Sequence, residues 1–295
     1  MSELAWENII TGIRNSREVK PRKTGTTMVM DVGKGISETL SILQTTSNYI
    51  DLWKFGFGTS VFLEKTLLQE KLKLLESYDV LTFPGGTLLE VALLQHHCRV
   101  FMTHAKSLGF TAVEISDGTI PLPAFRRKKV IECALNAGLI PITEVGKKDP
   151  KRQPTTEQIA EEALQDLEWG AAWVIVEGRE SGQGVGIFDE AGKVEESYID
   201  RIIDIMGPQI NALIWEAPLK NQQAYLIEKF GGNTGLGNIC PDQVLAVEAL
   251  RNGLRFDTLD RVSSQLVRRG DWDPNQAERD DELAGNAAVP LARKI

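Results

Sequence analysis

Short apolar runs alternate with longer amphipathic stretches along most of the chain, starting at residue 27 and recurring eight times. Several of the short runs are rich in β-branched residues, apolar on both faces and too short for helices. Runs of this kind are typical of parallel strands that are buried on both sides. They predict strands over residues 27–32, 49–54, 80–83, 112–116, 140–145, 172–177, 212–216 and 235–239.

The longer stretches carry the signals of α-helices. A capping hydroxyl at Thr155 or Thr156 precedes an acidic first turn, and Gly138 follows another stretch in the position of a C-cap. Helices are accordingly predicted over residues 60–75, 123–136, 157–167, 195–206, 221–230 and 241–251.

Regular alternation of strands and helices favours a parallel sheet with right-handed crossovers. Eight such units fit a closed (β/α)8 TIM barrel, which we predict for residues 27–267. An open doubly wound sheet is the alternative, disfavoured because no Gly-x-Gly-x-x-Gly turn follows the first strand. Residues 1–26 are predicted to form an N-terminal helix and a basic arm (residues 17–23), and residues 268–295 a loose tail without apolar periodicity.

Composition limits the partners and the location. The 295 residues are 42% hydrophobic and 25% charged, ordinary values for a globular protein. A net charge of −8 disfavours nucleic-acid binding, and no stretch is apolar over the ~20 residues that a membrane helix needs. The N-terminus lacks the apolar core of a signal peptide, so we expect a cytoplasmic protein acting on small molecules. The oligomeric state stays open, a homo-oligomer included.

Cysteine and histidine offer little chemistry in this chain. The cysteines are far apart in sequence without metal-ligand spacing, so we expect buried thiols in a reducing cytoplasm. They are Cys98, Cys133 and Cys240. The three histidines, His96, His97 and His104, fall in one further predicted helix, between the third and fourth strands, which argues against a zinc site or a histidine relay.

Four consecutive strands are predicted to end in a glutamate with apolar neighbours. These glutamates are Glu114, Glu144, Glu177 and Glu216. Because side chains alternate along a strand, each carboxylate is expected in the barrel mouth, at the C-terminal rim that carries TIM-barrel active sites. Buried carboxylates require positive charge, and a divalent cation such as Mg²⁺ is one source. The alternative is a set of structural salt bridges to nearby cations, namely Lys54, Lys147, Lys148 and Arg179.

Two glycine-rich segments lie close to these strand ends in the sequence. Residues 180–186 follow Arg179 directly, and this arginine with the backbone amides of Ser181, Gly182 and Gly184 is a predicted phosphate site. Residues 231–238, which include Asn238, approach the eighth strand, where barrels often bind phosphate. Ordinary turns would explain either glycine run equally well.

Motifs at nearly every strand end resemble those of the phosphosulfolactate synthase family, from residue 20 to residue 258. They are Lys-Pro-Arg at 20–22, Lys-Phe-Gly at 54–56, Gly-Thr-Ser at 58–60, Pro-Gly-Gly-Thr-Leu at 84–88, Val-Glu-Ile-Ser-Asp-Gly at 113–118, Thr-Glu-Val-Gly-Lys-Lys at 143–148, Glu-Gly-Arg-Glu-Ser-Gly at 177–182 and Glu-Ala-Pro at 216–218. The resemblance implies a (β/α)8 lyase that adds sulfite to phosphoenolpyruvate with Mg²⁺. The product is (2R)-phospho-3-sulfolactate, in the first step of a coenzyme M or related sulfonate route.

The motifs and this chemistry together assign a role to each candidate residue. Metal binding is expected of Glu144, Glu177 and Glu216. Lys147 is expected to protonate C2 of the substrate, with Lys54 and Glu114 as further catalytic groups. Substrate binding is expected of Arg179, Ser181, Gly182, Gly184, Lys148 and Asn238.

Two other functions stay open from the sequence. A Schiff-base aldolase on the same barrel would use Lys54 or Lys147 as its nucleophile. A non-catalytic protein like the heat-stress-associated proteins of plants would keep the barrel without the reaction.

Overall fold

A computed structural model gives the fold and describes residues 5–6, 17–273 and 275. Its eight strands are all parallel, and each is followed by one or more helices. The strands are β1 (Thr27–Asp31), β2 (Leu52–Phe55), β3 (Leu81–Pro84), β4 (Ala112–Ile115), β5 (Ile140–Val145), β6 (Trp173–Val176), β7 (Leu213–Glu216) and β8 (Gly235–Ile239).

The helices surround the sheet. They are α1 (Ile36–Thr46), α2 (Lys65–Glu76), α3 (Gly86–Leu94), α4 (Cys98–Leu108), α5 (Ala124–Asn136), α6 (Thr156–Glu168), α7 (Glu196–Met206), α8 (Lys220–Phe230), α9 (Val244–Arg251) and α10 (Phe256–Arg269). Short 3₁₀ segments occupy Ser47–Tyr49, Gly56–Phe62, Pro150–Arg152, Gly207–Ala212 and Pro241–Gln243.

The strand order β3-β2-β1-β8-β7-β6-β5-β4 brings β3 and β4 together at the last seam of the sheet. At one end of that seam the Thr111 amide donates to the Thr82 carbonyl at 3.1 Å. At the other end the Gly86 amide donates to Oε1 of Glu114 at 2.8 Å. These bonds complete the circle, and the predicted (β/α)8 barrel is confirmed.

Several predicted details differ from the structure. The prediction that all three histidines share one helix is wrong, because His96 and His97 lie between α3 and α4. The helix predicted over residues 60–75 begins only at Lys65, after a 3₁₀ segment in which Phe57 and Gly58 have positive φ. The predicted N-terminal helix and most of the tail lie outside the described residues. None of the helices in residues 17–273 is long and apolar enough to cross a membrane.

Alternation along the strands divides the core into two apolar layers. One layer packs between the sheet and the helices and includes Val29, Trp53, Val113 and Val145. The other fills the barrel interior and consists of Met28, Leu52, Phe83, Ala112, Ile142, Ile175 and Ile214. Lys54 and the four predicted glutamates each stand two positions beyond an interior residue of this second layer. They therefore enter the barrel at its C-terminal rim, as the pattern predicts.

The basic arm covers the opposite, N-terminal end of the barrel. Nη1 of Arg22 donates to Asp51, just before β2, at 3.0 Å, and the indole of Trp173 at the start of β6 donates to the Lys23 carbonyl at 3.0 Å. The Gly232 carbonyl accepts Nη1 of Arg251 at 2.7 Å in the same region. Nη1 of Arg17 in the arm also donates to the Gly232 carbonyl, at 3.2 Å. Residues 231–234 therefore lie at the N-terminal end of the barrel, opposite the rim that carries the glutamates, and their prediction as part of a phosphate loop is wrong.

Candidate active site

Lys54 lies at the centre of a buried charged cluster. Its Nζ is 2.9 Å from Oε2 of Glu114, 3.1 Å from Oε1 of Glu216 and 3.5 Å from Oε2 of Glu144. All four side chains are almost inaccessible to solvent, with 8% or less of each side chain exposed. The strands alone gather these groups, because each residue follows an inward-facing position of a different strand.

Lys148 extends the cluster from the loop after β5. Its Nζ is 3.4 Å from Oε1 of Glu144 and 3.3 Å from Oε2 of Glu177. Its side chain is 34% exposed, so this lysine stands between the buried glutamates and solvent. It is therefore the member of the cluster best placed to meet a small molecule entering from the rim.

Backbone amides orient the remaining carboxylate oxygens. Oε2 of Glu216 accepts the Gly178 amide at 3.1 Å, and Oε1 of Glu177 accepts the Arg179 amide at 2.8 Å. Glycine at 178 lets the two strand ends approach closely, since a Cβ there would lie 2.4 Å from the Glu216 carbonyl oxygen. The chain after β6 is thus fixed against β7 at the level of the carboxylates.

The cluster is short of positive charge. Four glutamates against two lysines leave two negative charges unbalanced when every group is ionised. Burial raises the pKa of Glu114 to about 7, and burial with the Glu144 charge also raises the pKa of Glu177. At Glu144 burial has the same direction, but Lys148 and Lys54 outweigh it and lower the pKa to about 2. An additional cation or bound protons must balance the surplus charge.

A divalent cation suits the geometry of three of these glutamates. One carboxylate oxygen from each of Glu144, Glu177 and Glu216 lies within 4.8 Å of the other two. All three residues are buried, and Oε2 of Glu144 and of Glu177 each face a lysine ammonium, at 3.5 and 3.3 Å, without meeting hydrogen-bond geometry. Hard oxygen ligands converging with unused lone pairs are the donor set that Mg²⁺ prefers. The structure thus brings together the three residues that the sequence assigns to metal.

Lys147 lies apart from the cluster. Its Nζ forms an ion pair with Asp117 and donates to the Asp117 carbonyl at 2.9 Å, in the loop after β4. Gly146, with φ of +113°, turns the chain between Glu144 and the two lysines, so the strand alternation no longer decides which lysine faces inward. The structure therefore brings Lys148, and not Lys147, into contact with the glutamates.

The predicted substrate-binding residues lie at the rim, around the loop after β6. Arg179 has φ of +59° and a side chain that is 36% exposed, and its carbonyl accepts the Asn238 amide at 3.3 Å. Oδ1 of Asn238 is buried without a hydrogen-bond partner. The Gly184 amide donates to the Asp189 carbonyl within the loop, at 2.9 Å. One of the three backbone amides predicted to bind phosphate is therefore already hydrogen-bonded. Gly182 packs on Gln222, whose Nε2 donates to its carbonyl at 2.7 Å.

Sequence reasoning assigns no role to Asp117, Gly118 or Arg127, which adjoin the site from the loop after β4 and from α5. The first two stand in the motif at residues 113–118, and this was the available signal. Arg127 carries no such signal, because a basic residue in an amphipathic helix is usually a solvated one. It is instead 1% exposed and donates to the Glu144 carbonyl at 3.0 Å.

Comparison of the sequence with known proteins identifies related proteins of one family. Residues 15–257 match the model of the (2R)-phospho-3-sulfolactate synthase family. The chain is 41% identical to the phosphosulfolactate synthase of Methanothermobacter thermautotrophicus over 84% of this chain and 96% of that one. It is 37% identical to the phosphosulfolactate synthase of Bacillus subtilis, over 82% of this chain and 95% of the relative.

Among solved structures, 3-hexulose-6-phosphate synthase from Salmonella typhimurium matches with a TM-score of 0.51 at 11% identity, covering 78% of this chain and all of that one. A likeness at this identity concerns the barrel fold alone. The sequence matches are far closer and run through every strand that supplies the cluster. The chain therefore belongs to the (2R)-phospho-3-sulfolactate synthase family.

Proposed function

We propose that this chain adds sulfite to C3 of phosphoenolpyruvate to give (2R)-phospho-3-sulfolactate. The observation that carries the proposal is the cluster itself: a chain 41% identical to a phosphosulfolactate synthase gathers two lysines and four glutamates at the rim of its barrel. Attack by sulfite forms the C3–S bond, breaks the C2–C3 π bond and drives an electron pair towards C2 and the substrate carboxylate. Stabilising that charge is the main catalytic task.

Lys54 supplies permanent positive charge beside the reacting carboxylate. Burial alone would lower its pKa, but the surrounding glutamates reverse the effect and raise that pKa well above its ordinary value. Glu144, Glu177 and Glu216 would hold Mg²⁺, which when bound polarises the substrate carboxylate as a Lewis acid. Arg179 and the backbone amides of Ser181 and Gly182 would bind the phosphate at the rim.

Lys148 is our candidate for the proton donor to C2, in preference to the Lys147 favoured by sequence. Its Nζ lies among the glutamates, whereas Lys147 is paired with Asp117. Glu144, and to a smaller extent Glu177, raise the pKa of Lys148, so it carries its proton when substrate arrives. Delivery from one fixed side of the barrel mouth would give a single configuration at C2.

The Schiff-base alternative fits the cluster less well. Imine formation requires a neutral amine, and three carboxylates within 3.5 Å keep Lys54 protonated. The prediction that the cysteines are buried is wrong, because Cys98 and Cys133 are half-buried and Cys240 is exposed. All three are free thiols, which supports a reducing, cytoplasmic location. The product would then enter a sulfonate pathway such as the one to coenzyme M.

The test is an assay of the purified protein with phosphoenolpyruvate, sulfite and Mg²⁺, followed by mass spectrometry. We expect phosphosulfolactate with all three present, none when sulfite is omitted, and loss of the product with a chelator that added Mg²⁺ reverses. No product under complete conditions would reject the reaction. Undiminished turnover after chelation would reject the metal and leave the reaction standing.

A further inference from the structure

The loop between β4 and α5, residues 116–123, contributes no carboxylate to the cluster but is anchored by a buried glutamate. Glu90 of α3, only 2% exposed, accepts the Ser116 hydroxyl at 2.7 Å and the amides of Thr119 and Ile120 at 3.1 Å each. A buried carboxylate with three donors from one short segment fixes that segment in a single conformation. The loop is therefore a rigid platform beside the site.

The two lysines after β5 rest on this platform. Lys147 pairs with Asp117 through its ammonium group, and the Lys148 amide donates to the Gly118 carbonyl at 3.1 Å. The first contact holds the Lys147 side chain, and the second holds the backbone at the peptide bond that joins the two lysines. The two lysine side chains point in different directions, Lys147 towards Asp117 and Lys148 towards Glu144 and Glu177.

Gly118 leaves the space in which the Lys148 stem lies. A Cβ at this position would be 3.2 Å from Cγ and Cε of Lys148 and 3.4 Å from Cδ. Gly118 does not belong to the glycines with positive φ, so its backbone conformation is open to alanine. The requirement for glycine here is thus one of space over Lys148, not of backbone geometry.

Arg127 of α5 links the β4–α5 loop to the end of β5. It is 1% exposed, its Nε donates to Asp166 at 2.8 Å, and its Nη2 donates to the Glu144 carbonyl at 3.0 Å. Its Nη1 lies 3.5 Å from Oδ1 of Asp117. One guanidinium therefore connects the carboxylate that binds Lys147 with the strand end that carries Glu144.

We infer that Asp117 and Gly118 are positioning residues that direct the side chain of Lys148 into the glutamate cluster. Asp117 binds Lys147 and so fixes the lysine pair, while Gly118 keeps the path of the Lys148 stem open. The catalytic consequence rests on the proposed function, in which Lys148 protonates C2, but the positioning does not depend on turnover. Neither residue is expected to touch substrate.

The positioning is tested by the rate at which acetic anhydride labels Lys148 in the intact protein, followed by peptide mass spectrometry. An ammonium paired with two carboxylates is a poor nucleophile, so displacement should raise the rate. We expect Lys148 to be labelled severalfold faster in Gly118→Ala, and both lysines faster in Asp117→Asn. The matched control is Gly35→Ala, whose Cβ would meet Glu38 only at an ordinary 3.7 Å. Unchanged labelling of Lys148 in Gly118→Ala would overturn the inference.

A double-mutant cycle tests the catalytic consequence. Displacing a catalytic group by about 1 Å can cost roughly 100-fold in rate, so kcat should fall markedly in Gly118→Ala with little change in KM for phosphoenolpyruvate. In a Lys148→Ala background the same substitution should change kcat by less than about twofold. Equal effects in both backgrounds would refute action through Lys148. If the wild-type protein forms no product, the proposed function fails, and labelling still decides the positioning.

Discussion

Without a divalent cation, the folded protein should lose stability as the pH rises from about 5 to about 7.5. Burial raises the pKa of Glu114 from 4.5 to about 7 and also raises the pKa of Glu177. A carboxyl with a raised folded-state pKa contributes stability that is fully present below its unfolded pKa and is lost as the pH rises through the folded value. The window lies between these two values because the folded protein there binds a proton that the unfolded chain has released.

The size of the effect follows from Glu114 alone. A shift from 4.5 to about 7 corresponds to about 3 kcal/mol, at 1.36 kcal/mol per pKa unit. In a domain of this size each kcal/mol moves Tm by about 2–4 °C, so the expected fall is roughly 6–12 °C. Carboxyls whose pKa is lowered, such as Asp31, act below about pH 4 and leave this window undisturbed.

The assay is thermal unfolding in chelator and in Mg²⁺ across this pH range. Because a proton on Glu177 competes with metal for the same carboxylate, Mg²⁺ should raise Tm more at about pH 7.5 than at about pH 5. Glu114→Gln is the matched control, since it keeps an oxygen for the Gly86 amide and removes the titrating group. It should flatten the chelator profile. A wild-type Tm that stays level or rises with pH in chelator would refute the charge surplus.

Three further outcomes are expected. Arg179→Ala should raise KM for phosphoenolpyruvate roughly 10–100-fold, the loss of a charged hydrogen bond of about 1.5–3 kcal/mol; an unchanged KM would make Arg179 structural. Borohydride with a keto-acid substrate should trap no adduct on Lys54, and a trapped adduct would favour the aldolase. Lys71→Met should reduce the free energy of unfolding, measured in urea, by about 3–5 kcal/mol, because it leaves the buried Asp31 carboxylate without its cation. A loss below about 1 kcal/mol would contradict a stabilising Lys71–Asp31 ion pair.

Much of the fold follows from the period of the apolar pattern. The strands predicted over residues 140–145 and 235–239 have the bounds found in β5 and β8. The prediction for the second strand begins too early, at residue 49, because Ser47–Tyr49 forms a 3₁₀ turn and Asp51 instead binds Arg22. Local apolar character cannot separate a strand from the buried turn that leads into it.

In the candidate site too, the residues on strands could be predicted from the sequence and the residues in loops could not. The glutamates are predictable because a strict period of two leaves no choice of face for a residue inside a strand. The lysines follow Gly146, where the period ends, and their directions depend on contacts with Asp117 and Gly118 from another loop. Contacts between segments far apart in sequence have no signature in either segment alone.

The lysine pair therefore gives the sharpest test of structure against sequence. Lys148→Ala should remove most turnover, since a general acid contributes roughly 10²–10⁴-fold. Lys148→Arg keeps the charge, but a guanidinium beside the same glutamates holds its proton more tightly than an ammonium does, so this variant should stay slow if Lys148 is the acid. Lys147→Met loses the Asp117 pair and should reduce kcat less, by letting Lys148 move. Recovery in Lys148→Arg, together with a Lys147→Met variant as slow as Lys148→Ala, would return the proton to Lys147.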